Sequence, residues 1–97
     1  MASWTFLTNY AHVLLCVARD PGIRHRDLAE RVGITERATQ RIVADLVEVG
    51  YLSFVKEGRR NRYQLHPDLP LRHPLEQDHR IGEILAVLGG SPARMTA

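Results

Sequence analysis

Apolar residues recur at intervals of three and four through the first half of the chain, then cluster in YLSFVK and alternate with polar ones in RYQLH, so helices are expected first and strands after them. In TFLTNYAHVLLCVARD, one helical stripe is Leu7, Tyr10, Ala11, Leu14 and Ala18, and a second is Phe6, Val13 and Val17. Only Asn9, His12, Cys16 and Arg19 are left for water. A helix that is apolar on two sides is normally buried on both, and in so small a chain the second side is expected to meet another subunit. Thr5 or Thr8 is placed to cap this helix, and Asp20-Pro21-Gly22 to stop it.

HRDLAERVGI predicts a short second helix with Leu28, Ala29 and Val32 inward, ended at Gly33, where the missing side chain permits a positive-φ turn. A third helix over 36–49 follows in TERATQRIVADLVEVG, with Thr35 as N-cap, Glu36 in the first turn and Gly50 closing it. Its inward stripe is Thr39, Ile42, Val43, Leu46 and Val49, which leaves Arg37, Gln40, Arg41, Ala44 and Glu48 outward. YLSFVK and RYQLH have strand composition and length, and EGRRN between them supplies a glycine-bearing turn, so the pair predicts a β-hairpin with a strongly basic tip. Pro67, Pro70 and Pro74 punctuate an irregular connection. A last helix, roughly Leu75 to Leu88, would line up Ile81, Ile84, Leu85 and Leu88 and stop at Gly89-Gly90. That stripe and the spare face of the first helix are expected to form the seam of a homodimer.

With 97 residues the chain has room for one core, expected as a single domain over 1–90 with residues 91–97 as a disordered tail. The longest apolar run, Val13 to Ala18, is too short to cross a bilayer, and MASWTF has no basic segment of the kind that opens a signal peptide. With a single cysteine there is no internal disulfide, which fits a reducing cytoplasm. The net charge of +2 decides nothing, but its distribution does: residues 19–66 hold ten Lys/Arg against seven Asp/Glu, and the chain beyond them holds three against four. Positive charge confined to one stretch steers a phosphate backbone toward one face.

Three helices followed by a two-stranded hairpin, with a glycine turn before the third helix, is the element order of a winged helix-turn-helix: mainly α with a small β-hairpin (α+β), a three-helix core plus wing, and an additional C-terminal helix. DLAERVGITERATQRIVADLVEVGYLSF resembles the recognition core of the MarR and ArsR-like bacterial transcriptional regulators, through Ala29, Gly33, Ile42, Val43, Leu46, Gly50, Tyr51 and Leu52. Thr39 departs from that pattern, where an aliphatic residue is usual, and the likeness covers residues 23–66. The resemblance implies sequence-specific binding of double-stranded DNA, with the third helix in the major groove and the wing, 56–62, on the minor groove or the phosphates. The chemistry agrees. Arg37 and Arg41 can fork onto guanine and Gln40 can pair with adenine. Thr35 sits at the positive end of a helix dipole and can hold a phosphate. Lys56, Arg59, Arg60, Asn61 and Arg62 would lie along the groove or backbone, and Arg24 and Arg26, with His25 between them, would clamp the backbone on the other side. An interaction adaptor on the same fold, or a sensor with a ligand or metal at the dimer interface, are the alternatives.

Other signals are weaker. His12 and Cys16 lie four apart, but two ligands do not make a metal site. His73, Glu76, Asp78, His79 and Glu83 read as a solvated face. Ser3, Ser53 and Ser91 lack a catalytic motif and no glycine-rich phosphate loop is present, so neither enzymatic activity nor a cofactor is expected.

Overall fold

A computed structural model describes residues 3–89, and the expected tail over 91–97 lies outside them. The order is α1 (Asn9–Arg19), α2 (His25–Val32), α3 (Glu36–Glu48), β1 (Leu52–Glu57), β2 (Arg60–Leu65) and α4 (Ile81–Val87). This is the expected winged helix-turn-helix arrangement with one helix added. A single cluster unites the elements: Val13, Leu14 and Val17 of α1, Leu28 of α2, Ile42, Val43 and Leu46 of α3, Leu52 and Tyr63 of the hairpin, and Ile81 and Leu85 of α4. Both stripes of α1 are thus satisfied in part within the chain.

The helix-turn-helix bend follows from local chemistry. Gly33 ends α2 at φ +86°, and the N–H groups of Gly33 and Ile34 both donate to the Ala29 carbonyl. Only a residue without a side chain enters that conformation without strain. Thr35 then caps α3, its Oγ1 accepting from the Ala38 N–H at 3.0 Å. Thr39 takes an aliphatic residue's place in the core, fully buried, because its hydroxyl donates to the Thr35 carbonyl at 3.1 Å and leaves no polar group unpaired. On the other side of α3, the Tyr10 hydroxyl donates to Asp45 at 2.6 Å and ties α1 to α3. That carboxylate holds the phenol above its usual range.

Several boundaries differ from the pattern-based expectation. The first helix starts at Asn9, so Phe6 lies outside it and is 93% exposed. Thr8 is the N-cap residue by position but makes no side-chain cap bond, and the Thr5 hydroxyl bonds the Leu7 carbonyl. The third helix ends at Glu48, and Val49, its C-cap, is exposed and does not point inward. The largest difference is at the last helix, expected from Leu75 but formed only from Ile81. Residues 79–81 are drawn into extended pairing with residues 69–71: the Leu71 N–H bonds the His79 carbonyl, the Ile81 N–H bonds the Leu69 carbonyl, and Pro70 bridges Arg80. Backbone groups used in this strap cannot also serve a helix. Leu75 is exposed in consequence, and Ile81 and Leu85 fill the chain's own core and are lost to any seam.

The strap packs closely on α4. A Cβ built on Gly82 would lie 2.7 Å from the Pro67 Cβ and 2.9 Å from the Pro67 carbonyl oxygen. At the helix start, Glu83 accepts from the Arg80 N–H at 2.8 Å and from His79 at 2.8 Å. These two contacts, the backbone bond first, lower the Glu83 carboxyl below 4.5, and the bond to Glu83 raises His79 above 6.5.

Gly82→Ala is expected to lower stability by about 1–3 kcal/mol in denaturant unfolding, since backbone must move to admit the methyl group. The His79 and Glu83 contributions have opposite pH limits. The raised histidine stabilises fully below its unfolded value and loses this as pH rises through the folded one, whereas the lowered carboxylate stabilises above its unfolded value and loses this as pH falls through the folded one. The start of α4 should therefore hold best in mildly acidic solution. An NMR titration of His79 should give a midpoint above 6.5 that falls back in Glu83→Gln.

Candidate nucleic-acid interface

The outer face of α3 is formed by what the core stripe leaves over. With Thr39, Ile42, Val43 and Leu46 buried, Arg37, Gln40, Arg41, Ala44 and Glu48 are exposed, as the helical period requires. Arg37, Gln40 and Arg41 occupy the first two turns, from which side chains of a recognition helix reach base edges. Thr35 is exposed, and its oxygen already accepts the capping bond, which leaves its O–H as a donor.

The hairpin is paired in register from Leu52↔Leu65 to Glu57↔Arg60, so the turn holds only Gly58 and Arg59. Gly58 has φ +65° and no other residue of the turn is positive, the type II′ pattern that suits the twist of a two-residue hairpin. The expected cluster of three arginines at the tip is thus divided. Arg59 is in the turn, while Arg60, Asn61 and Arg62 belong to β2, where successive side chains take opposite faces. Lys56, Asn61 and Tyr63 share one face; Arg60 and Arg62 start from the other.

The α1–α2 connection runs along the free edge of β2. The Tyr63 N–H donates to the Pro21 carbonyl at 2.8 Å, and the Arg60 guanidinium reaches round the edge to the Gly22 carbonyl at 2.9 Å. The Tyr63 hydroxyl is hydrogen bonded to His25 Nε2 at 3.0 Å, which fixes the start of α2 against the wing. Between these parts lies a concavity of about 330 Å³ lined by Ile23, Arg24, His25, Lys56, Arg59, Arg60, Asn61 and Tyr63. Five residues expected to contact DNA, Arg24, Lys56, Arg59, Arg60 and Asn61, are brought together there. Arg26 and Arg62 are exposed outside it.

The cations here are not ion-paired. Among the described residues the one ion pair within 4.0 Å is His79 with Glu83, so no carboxylate neutralises Arg24, Arg37, Arg41, Lys56, Arg59 or Arg60. Asn61 Oδ1 is sealed from solvent with no hydrogen-bond partner. Sequence reasoning missed Ile23 and Tyr63 as the floor of this concavity. The available signal was the alternation in RNRYQL, which turns Tyr63 inward beside Asn61.

A second concavity, of about 760 Å³, lies away from the wing, between the start of α1, the end of α3, the strap and α4. Its wall is apolar at Leu14, Leu46, Tyr51, Ile81 and Leu85, with Asp45, Glu48, Arg72, His73 and Glu76 among its polar members. Ser53 and His66 are hydrogen bonded at 2.8 Å across the base of the hairpin, and among the described residues no carboxylate bonds the other ring nitrogen, so the pair fastens the wing and has no third member. No group of three or more His, Cys, Asp or Glu among the described residues is placed to hold a metal ion, and no helix among them is long and apolar enough to cross a membrane.

This geometry, three helices with an exposed third and a paired wing, defines a winged helix-turn-helix protein. Residues 12–53 match the family model described as winged helix-turn-helix DNA-binding. The chain is similar to the PcaV transcriptional regulator from Streptomyces coelicolor, crystallised in complex with its natural ligand, at 29% identity and TM-score 0.54, over 68% of this chain and 49% of that one. It thus spans about half the length of that regulator. It shares its fold with a predicted DNA-binding transcriptional regulator from E. coli at 18% identity and TM-score 0.58, over 81% of this chain and 72% of that one. No curated protein matches it.

Thr35→Ala should cost about 0.5–2 kcal/mol through the lost cap, and Thr35→Ser should restore most of it, as read by thermal or denaturant unfolding.

Proposed function

We propose that this chain is a bacterial, cytoplasmic transcriptional regulator that binds double-stranded DNA sequence-specifically and is not an enzyme. Arg37, Gln40 and Arg41 on α3 read bases in the major groove, Thr35 donates to a phosphate, and the wing, with Lys56, Arg59, Arg60, Asn61 and Arg62, lies on the minor groove or backbone. Arg24 and Arg26 hold the backbone from α2. The observation that carries this reading is a set of cations on α3, the start of α2 and the wing that form no ion pair with any carboxylate among the described residues. Fixed positive charge left open on a helix-turn-helix suits a polyanion. The family model matched by residues 12–53 supports it.

The regulator acts as a homodimer through α1 and α4. Support comes from apolar residues left outside the core: Phe6, Tyr10, Val87 and Leu88 are 93%, 39%, 85% and 37% exposed. A two-fold dimer presents its two α3 helices to a pseudo-palindrome with half-sites about one helical turn, or a multiple, apart. A second reading, a sensor whose DNA affinity responds to a small molecule, is favoured by the larger concavity, whose volume lies within the ~300–1,000 Å³ of ligand sites.

Titration of fluorescent duplexes tests the proposal. Micromolar or tighter binding to random duplex is expected at low salt, falling steeply as salt rises. On a sequence selected from a random pool, Arg41→Ala should lose about 1–3 kcal/mol of discrimination at one position while its binding to random duplex changes little. No binding at low salt would leave the adaptor.

A further inference from the structure

We propose that the larger concavity, between the start of α1, the end of α3, the strap and α4, takes a small hydrophobic cation, an aromatic or alkyl amine that carries its proton at neutral pH. Its regulatory use rests on the sensor reading above; its binding does not. The floor belongs to the core, since Leu14, Leu46, Tyr51, Ile81 and Leu85 are buried there. The mouth is left open by the chain, because Phe6, Tyr10 and Val49 line it and stay exposed. Apolar surface around a volume of about 760 Å³ is stabilised when a molecule of that size covers it.

The rim sets the sign of the occupant. Asp45, Glu48 and Glu76 bring three carboxylates against the guanidinium of Arg72, an excess of two negative charges on a chain whose net charge is +2. None of the three is ion-paired among the described residues. Asp45 accepts the Tyr10 hydroxyl at Oδ2 and keeps its charge and its other oxygen. His73 accepts from the Leu75 N–H at Nδ1, so it holds no proton there. Burial raises the Tyr51 phenol above its usual range, with Arg72 working against this and Glu76 with it, so both charges act on the wall at Tyr51. Phe6, Tyr10 and Tyr51 add aromatic rings, whose faces attract an ammonium group as carboxylates do. A neutral apolar molecule would use the walls alone and an anion would be repelled by the rim, whereas a hydrophobic cation uses both. The basic surface of α3, α2 and the wing repels the same molecule and leaves this end of the protein to it.

The concavity also reaches α3 from behind. Asp45 and Leu46 belong to α3, and Tyr10, whose hydroxyl holds Asp45, belongs to α1. A cation drawn to Asp45 acts on the contact that ties the two helices, and this is the route from occupancy to Arg37, Gln40 and Arg41.

Three probes of one shape and different charge test the site. ¹⁵N-labelled protein is titrated at constant ionic strength with phenylbutylammonium chloride, phenylbutanol and sodium phenylbutyrate. The amides of Tyr10, Asp45 to Val49 and Tyr51 should move with the cation at the lowest concentration, with the alcohol at a higher one and with the acid least. Glu48→Gln/Glu76→Gln, at two exposed positions, should weaken the cation about fivefold and leave the alcohol unchanged. An alcohol or acid that binds as tightly as the cation would overturn the proposal. Amides that respond to none of the probes would overturn it too, and if they shift instead with protein concentration, the occupant is a second copy of the chain. Duplex affinity is then measured with and without the cation at constant ionic strength. A change of about fivefold or more that shrinks in the double variant supports the sensor. If the cation binds and duplex affinity is unchanged, the site stands and the sensor reading falls; if the cation binds and no duplex does, the site stands and the proposed function falls.

Discussion

The wing's setting against the helices depends on the edge of β2, where the Tyr63 N–H pairs with the Pro21 carbonyl while Leu52 and Tyr63 pack in the core. A two-stranded hairpin alone is marginal in water, and nothing in its own register would fix its angle to the helices. The α1–α2 connection supplies that constraint by serving β2 as a short third edge. Arg60 reinforces it through Gly22, and Tyr63 carries it inward, with its ring in the core and its hydroxyl on His25. The same tyrosine therefore belongs to the hydrophobic core, to the wing's attachment and to the lining of the basic concavity. Stability and binding surface are coupled at this residue.

The helix-turn-helix was legible because its signals are local. A positive-φ glycine, a threonine cap and a three-and-four stripe each act over a few residues, and Gly33, Thr35 and the Ile42, Val43 and Leu46 stripe lie where those rules place them. Thr39 shows the limit of a residue-type rule: a hydroxyl occupies an aliphatic site once the carbonyl one turn back accepts its proton. The division of the three arginines was not legible, because turn length decides it. Gly58-Arg59 as a two-residue turn places Arg60 in the strand, whereas EGRRN in isolation admits longer turns.

Pairing beyond the reach of helical periodicity hid the rest. The 75–80 segment was expected to open the last helix, yet its end is claimed by residues 69–71, which pair with residues 79–81 across a loop. The result is a strap that joins the wing's base to α4: the His66 N–H bonds the Tyr51 carbonyl, the Tyr51 hydroxyl bonds the Pro70 carbonyl, and Gly82 packs against Pro67. This strap also forms one wall of the larger concavity, so the site favoured for a small molecule is in covalent and packing continuity with the hairpin. Neither concavity has a signature in any short stretch of sequence, since each is assembled from segments far apart in the chain.

The central claim is that α3 and the wing engage one duplex together. Chemical-shift mapping of the labelled protein with a random duplex tests it most directly. The account predicts concerted changes at Arg37, Gln40 and Arg41 and at Lys56 to Arg62, with α4 and the strap unmoved. Changes confined to one of the two elements, or centred on α4, would contradict it.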